Sequence, residues 1–156
     1  VFNTDETLLE RAEAYALSGK YAEALKDINT ELTAFSKKKV QLTLDKIKDF
    51  YNSQAYYTPT KPTPKKALNP LFAIEKTTQE PLLQCLLQLR RILTIHEGFR
   101  LQDVKRYGIT MYRRQVDVQS KVNAVTDSMK VGDPRLAIQL PQDVISAGIT
   151  PNPRNK

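Results

Sequence analysis

The chain of 156 residues has no tryptophan, one cysteine and one histidine. With Cys85 alone, no internal disulfide and no cysteine-based zinc cluster can form. Set among leucines, it is expected to behave as a small core hydrophobe. With His96 alone, a histidine-pair metal site is excluded, and no companion signature marks it as a catalytic base. No run of about 18 or more apolar residues occurs, so no transmembrane helix is encoded. A basic-then-apolar leader is missing as well, and the chain opens at Val1, which fits a trimmed mature protein or a fragment. Phosphate-cradling glycine loops, paired metal-ligand spacings and nucleophile elbows are all absent. The expectation is therefore a protein with no metal, no cofactor and no enzymatic activity.

What is present is the composition of a soluble globular protein, 40% hydrophobic and 26% charged. Its length allows one adequate core. The formal net charge of +7 permits an anionic partner without requiring one. Lysines gather at positions 37–39 and at Lys61, Lys65 and Lys66; arginines gather at 90–91, 100–106 and 113–114. No single helix face collects them. Single-stranded nucleic acid needs basic residues interleaved with stacking aromatics. Here the tyrosines lie away from the arginines, so no nucleic-acid partner is expected.

Residues 4–36 carry the clearest local pattern. Thr4 or Asp5 can cap a helix start, with acidic residues favoured in the first turn. Leu8, Ala12 and Tyr15 recur at helical spacing, Ser18-Gly19 breaks the pattern, and Tyr21, Ala24, Leu25, Ile28 and Leu32 form a second stripe. The reading is a helical hairpin with the spacing of a tetratricopeptide repeat, whose period is about 34 residues. Ala12 stands where glycine is usual in that repeat, no proline closes the unit near Ser36, and no second repeat follows. Residues 38–51 predict another helix, striped by Val40, Leu44, Ile47 and Phe50 or Tyr51. Residues 52–79 form a Pro-rich excursion, a linker or an ordered loop, with four of the nine prolines between positions 52 and 70. Tyr56 and Tyr57 at its start are candidate stacking platforms for a sugar, or hydrophobic pegs that pin the loop.

Residues 80–108 predict a helical corner. Pro81 sits in the first turn, Leu82, Leu86, Leu89 and Leu93 make a core stripe with Leu83 and Ile92, and Gly98 ends the helix. A short helix over 99–107 then stops at Gly108. Glu97 and Asp103 could be taken as a catalytic carboxylate pair, but neighbouring Arg100, Lys105 and Arg106 would hold both ionised. Arg90, Arg91, Glu97, Arg100, Asp103 and Arg106 are instead expected to form a structural ion-pair corner. Residues 109–156 predict an irregular closing segment, with strand character in ITMYRRQVDV (109–118) and LAIQLP (136–141).

Three pieces taken together, LLERAEAYALSGKYAEALKDIN (8–29), LLQLRRILTIHEGFRLQDVKRYG (86–108) and LAIQLPQDVISAGITPNPR (136–154), resemble the C-terminal part of the SusD/RagB family. The most specific match is Arg90-Arg91, Glu97-Gly98, Arg100, Asp103 and then residues 105–108 as KRYG; Leu140-Pro141 and Asn152-Pro153 are similar to the family's closing segment. Leu89 and Leu93 depart from the acidic residues often found beside the arginine pair. The resemblance covers nearly the whole chain and the last third or so of a typical member. It implies a mainly α fold of tetratricopeptide-like hairpins, irregular loops and a few short strands. It also implies a non-catalytic nutrient-binding lipoprotein on the extracellular face of the outer membrane in Bacteroidetes. Such a protein binds glycans, or peptides in RagB-like members, and delivers them to a SusC-like TonB-dependent transporter. The lipid anchor would be an N-terminal cysteine in sequence not present here, since Cys85 lies within a helix. Without tryptophan, the main ligand surface is expected in the missing N-terminal portion. A stand-alone tetratricopeptide-like interaction module is the alternative.

Overall fold

Six α-helices, one 3-10 turn and one two-stranded sheet make up the described residues, 4–154, of the computed structural model. The chain divides into two compact units. The first holds Val1–Thr58, Pro62–Lys66 and Phe72–Arg100; the second holds Pro59–Lys61, Ala67–Leu71 and Leu101–Lys156.

In the first unit, α1 (Thr4–Leu17) and α2 (Tyr21–Phe35) form the expected hairpin. Gly19 adopts φ +75°, the left-handed conformation that a helix stop favours in glycine. Helix α1 is already formed at Thr4, so its N-cap lies outside the described residues. The buried faces are rotated from the expected ones. On α1 they comprise Leu9, Ala12, Glu13 and Ala16 rather than Leu8 and Tyr15. On α2 they comprise Ala24, Asp27, Ile28 and Glu31, with Leu25 and Leu32 only half-buried. Small residues allow the close packing of α1 on α2, and Glu13 and Asp27 enter these faces because Arg90 and Arg11 on other helices meet them.

Helix α3 (Leu44–Ser53) begins six residues later than the sequence pattern indicates. Asn29 explains the delay: its Nδ2 donates to the Leu42 carbonyl at 2.9 Å and its Oδ1 accepts from the Leu42 N–H at 2.8 Å. The chain before Thr43 is thereby held against α2 and not free to coil. Thr43 then serves as N-cap, its hydroxyl accepting from the Lys46 N–H at 3.3 Å. Val40 drops out of the stripe, and Tyr51 rather than Phe50 is the buried aromatic.

Helix α4 (Gln79–Leu93) packs against both α1 and α3. Every residue from 79 through 87 is buried, so the first turns are covered on all sides rather than along one stripe. Leu82, Leu83, Leu86 and Leu87 supply the apolar part, each worth about 1.5–3 kcal/mol when fully buried. Leu89 and Leu93 are only half-buried, and Ile92 is exposed. The C-terminal half of α4 is thus less covered than its leucine spacing implies.

The second unit contains most of α5 (Arg100–Arg106), which buries Asp103 and Val104, followed by the fully buried Tyr107. Gly108 has two reasons to be glycine. Its φ is +57°, and a Cβ there would stand 2.2 Å from the Asn69 carbonyl oxygen and 2.9 Å from Val131 Cγ2. The Asn69 N–H donates to the Tyr107 carbonyl at 2.8 Å, which fixes this close approach.

The closing segment is more regular than expected. Strand β1 (Met111–Val116) falls within the predicted strand, but it pairs antiparallel with an unexpected β2 (Val122–Met129). The register runs from Met111 opposite Met129 to Val116 opposite Val122, with irregularities after Arg113 and after Gln115. Asp117 builds the turn, its Oδ1 accepting from the N–H groups of Gln119 and Lys121 at 2.9 and 2.8 Å. Residues 136–141 form no strand. Pro134–Leu136 is a 3-10 turn capped by Asp133, and Gln142–Ser146 forms the short helix α6 within the tail expected to be irregular.

Candidate functional site

The Pro-rich excursion, where both candidate tyrosines lie, is an ordered loop. The Tyr57 N–H donates to the Lys65 carbonyl at 2.7 Å, and the Thr63 hydroxyl donates to the Ala55 carbonyl at 2.8 Å. These bonds close the loop on itself. Gln84 of α4 then binds both main-chain groups of Lys66, its Oε1 accepting from the N–H at 3.0 Å and its Nε2 donating to the carbonyl. A prolyl chain has few N–H groups of its own, so a buried side-chain amide from a helix substitutes for the missing ladder.

Tyr56 donates its hydroxyl to Glu80 Oε1 at 2.9 Å, and Lys76 Nζ lies 3.0 Å from Glu80 Oε2. Burial, together with the hydrogen bond to Glu80 and its charge, raises the Tyr56 phenol above its ordinary pKa. Lys65 Nζ stands 4.5 Å from the Tyr56 ring centroid, and Lys66 Nζ stands 3.4 Å from that of Tyr57. One face of each ring therefore carries an ammonium group from the same chain. Such a contact is worth about 0.5–1 kcal/mol at an exposed site. A sugar stacking on that face has to exceed this amount. Tyr56 thus pins the loop through its hydroxyl, as the second of the two sequence readings expects, while 43% of its surface remains exposed.

Arg90, Arg91 and Glu97 depart from the expected ion-pair corner. Arg90 is buried and donates from Nη2 to Glu13 Oε2 of α1 at 2.6 Å. Arg91 and Glu97 are exposed, and neither forms an ion pair among the described residues. The reason is geometric. Helix α4 ends at Leu93, and His96 and Gly98 take φ values of +71° and +82°. Glu97 therefore sits on a turn rather than on a helix face. Arg100 begins α5 half-buried, and Asp103 is buried one turn later. Arg106 is exposed, with its guanidinium carbon 5.9 Å from the Tyr107 ring centroid.

Three polar constructions escaped the sequence reading. Arg11 meets Asp27 through two parallel bonds of 2.8 Å, joining α1 to α2. Glu75 organises the start of α4. Its carboxylate accepts from the Thr77 hydroxyl and from the N–H groups of Thr77, Thr78 and Gln79, while Gln79 Oε1 accepts from the Glu75 N–H at 3.0 Å. This reciprocal exchange resembles a capping box with a four-residue spacing. It draws the Glu75 carboxyl down to about 2, chiefly through the Thr77 hydroxyl. Gln79 also donates from Nε2 to the carbonyls of Ala16 and Leu17 at the end of α1, the first of which also accepts from the Gly19 N–H.

In the second unit, Arg135 joins β2 to the 3-10 turn. It donates to both carboxylates of Asp127 and Asp133 and, at 2.8 Å, to the Ser128 carbonyl. An arginine–carboxylate cluster thus lies outside the region 90–106 in which one was expected. Its visible signal was Asp133-Pro134, a cap followed by a proline at the first turn position. Farther on, the Gln139 side chain exchanges two bonds with the main chain of Asn152, at 2.9 and 3.1 Å. Asn152 Nδ2 returns a bond to the Ile138 carbonyl at 2.6 Å. Cys85 is buried within α4, and burial pushes its thiol up to about 12, as a packing residue requires.

These features amount to a rigid helical support bearing a clipped, tyrosine-bearing loop, with the chemistry of hydrogen bonding and weak stacking. Among the described residues, no group of three or more His, Cys, Asp or Glu side chains could hold a metal ion, and no helix is long and apolar enough to cross a membrane. Comparison with protein-family models, with curated proteins and with solved structures finds no match to this chain.

Proposed function

We propose that this chain is the C-terminal part of a SusD/RagB-type nutrient-binding lipoprotein. In this reading it acts without catalysis at the outer-membrane surface and helps deliver glycans to a SusC-like TonB-dependent transporter. The observation that carries the reading is the corner at 86–108. A buried helix that ends at Leu93, a turn in which Gly98 is left-handed, a short helix and a glycine stop at Gly108 follow the order in which the family resemblance places them. The α1–α2 hairpin adds support as the tetratricopeptide-like element. The clasp between Gln139 and Asn152 adds more, because it joins the two ends of the closing segment singled out by the same resemblance. Within this chain, Tyr56 and Tyr57 are the sugar-facing residues, and the larger ligand surface lies upstream.

The test has two arms. The upstream coding sequence is expected to run into a lipoprotein signal beside a TonB-dependent transporter, and a complete reading frame starting at Val1 would overturn the assignment. Affinity electrophoresis of the full-length protein across a panel of polysaccharides is expected to show retardation that Tyr56→Ala and Tyr57→Ala weaken about twofold to fivefold, since each stacking contact is worth about 1 kcal/mol or less. Binding of peptides in place of glycans would move the protein to the RagB-like branch.

A further inference from the structure

From residue 50 through residue 74 the chain has no aspartate or glutamate, so the clipped loop bears no carboxylate of its own. The carboxylate it does meet, Glu80 of α4, is fully buried and already engaged: Tyr56 donates to Oε1, and Lys76 stands at Oε2. Lys65 and Lys66, both half-buried, set their ammonium groups over the Tyr56 and Tyr57 rings. Lys65 forms no ion pair among the described residues, and Lys66 donates to a neutral acceptor, the Thr63 carbonyl, at 2.7 Å. The loop thus joins two aromatic rings to two cations with no anion of its own.

This arrangement discriminates between sugars. The Tyr56 hydroxyl is committed to Glu80, so the donor at hand beside that ring is Lys65, which donates and cannot accept. A neutral sugar that stacks on the covered face has to displace the ammonium group, and the cation–π contact is lost. A sugar bearing a carboxylate or sulfate turns the same group into a partner through a charge-assisted bond. Such a ligand brings an apolar C–H face for the ring and a negative group for the cation.

We propose that the tyrosine loop takes anionic glycans, with a uronate or sulfated ring stacked on Tyr56 or Tyr57 and its negative group held by Lys65 or Lys66. This selectivity rests on the glycan reading and narrows it to one class of ligand. Single-stranded nucleic acid also combines stacking with negative charge, but its backbone is followed by a basic groove over several nucleotides. Here the two cations are neighbours in sequence at the end of one short loop, which suits one charged ring rather than a strand.

The test is calorimetric titration of the full-length protein at about 0.15 M salt with two matched pairs of ligands. One pair is an oligogalacturonate and its methyl ester; the other is a sulfated galactan oligosaccharide and its desulfated form. Within a pair the sugar rings are shared and only the charge differs. The charged member is expected to bind about threefold to tenfold more tightly, and the pair with the larger ratio identifies carboxylate or sulfate as the preferred group. Lys65→Gln should weaken the charged member about twofold to fivefold and leave the neutral one unchanged or tighter, because it uncovers the Tyr56 ring. A merely structural lysine would lower both. Lys46→Gln, an exposed lysine on α3, removes the same charge elsewhere and should change neither. Circular dichroism melts establish that each variant folds. Equal binding within both pairs, with Tyr56→Ala weakening every sugar, overturns the proposal and leaves the glycan reading standing. A charge preference indifferent to both Lys65→Gln and Lys66→Gln does the same. Binding of no sugar overturns both, and an oligothymidylate bound more tightly than any sugar, with loss on Lys65→Gln, moves the loop to nucleic acid.

Discussion

The first turns of α4 bury two glutamines, a glutamate and a cysteine among leucines, whereas the β1–β2 hairpin leaves most of its residues exposed or half-exposed. The two regions keep their order by different means. Around α4, polar groups are matched across long stretches of chain: Gln79 reaches α1 across 63 residues and Arg90 reaches Glu13 across 77. In the hairpin Arg114 also reaches far, to the Pro59 carbonyl across 55 residues, but the clasps of the closing segment are local. Arg135 works within eight residues of its partners, and Gln139 within 13. Long-range pairs in a buried setting are costly to break, because removing one partner strands the other away from water. Local clasps at the surface leave groups that water can satisfy, so their loss is felt nearby rather than throughout the fold.

The sharpest way to break this comparison is Arg90→Ala. It leaves Glu13 buried without this partner and is expected to destabilise the first unit by about 3–5 kcal/mol, read from the midpoint of chemical denaturation. The adjacent exposed Arg91→Ala should stay within about 0.5 kcal/mol. A small effect of Arg90→Ala would mean that α4 is held by its leucines alone. In the second unit the largest effect belongs to a backbone position and not to a charge. Gly108→Ala forces both a left-handed non-glycine residue and a clash with the Asn69 carbonyl, for a loss of about 2–5 kcal/mol. Gly19→Ala, which meets no atom within 4 Å, is the control for φ alone and should cost less.

Smaller and more local is Arg135→Ala. Faster amide exchange is expected at residues 127–135, with α4 amides unchanged; slowed or uniform exchange would erase the distinction between the two regions. The smallest effect is at Glu75, which is exposed yet caps α4. Its folded value lies below its unfolded one, so its contribution is complete above about 4.5 and declines as pH falls toward about 2. Glu75→Ala should lower the melting temperature at neutral pH, and the difference from the parent should shrink over that acidic window. A pH-independent difference would mean that packing around 75–79, rather than the charge, sets the start of α4.

Much of the helical frame was legible in the residues. The stops at Gly19 and Gly108 could be read directly, because a left-handed turn is a property of a few neighbouring residues; the stop expected at Gly98 comes five residues earlier, at Leu93. The hairpin of α1 and α2 followed from the same kind of signal. Strand β2 was not legible: VNAVTDSM has no alternation strong enough to declare itself, and it is a strand through its pairing with β1 and the turn at Asp117. The late start of α3 was hidden for a similar reason, since Asn29 lies 13 residues from the peptide group it holds. At the candidate site, Tyr56 and Tyr57 could be named from the loop composition, but the lysines over their rings and the grip of Glu80 and Gln84 could not. Those contacts span as many as 24 residues and depend on the loop folding back onto α4.

The sequence alone determined the helical class, the stops at Gly19 and Gly108 and the lone buried thiol, because each depends on local dihedral preference or on residue counts. Tertiary structure decided which face of α1 is buried and which carboxylate receives Arg90. The physical reason is that charge pairing and burial are properties of places where distant segments meet, and a linear pattern holds no record of those distances.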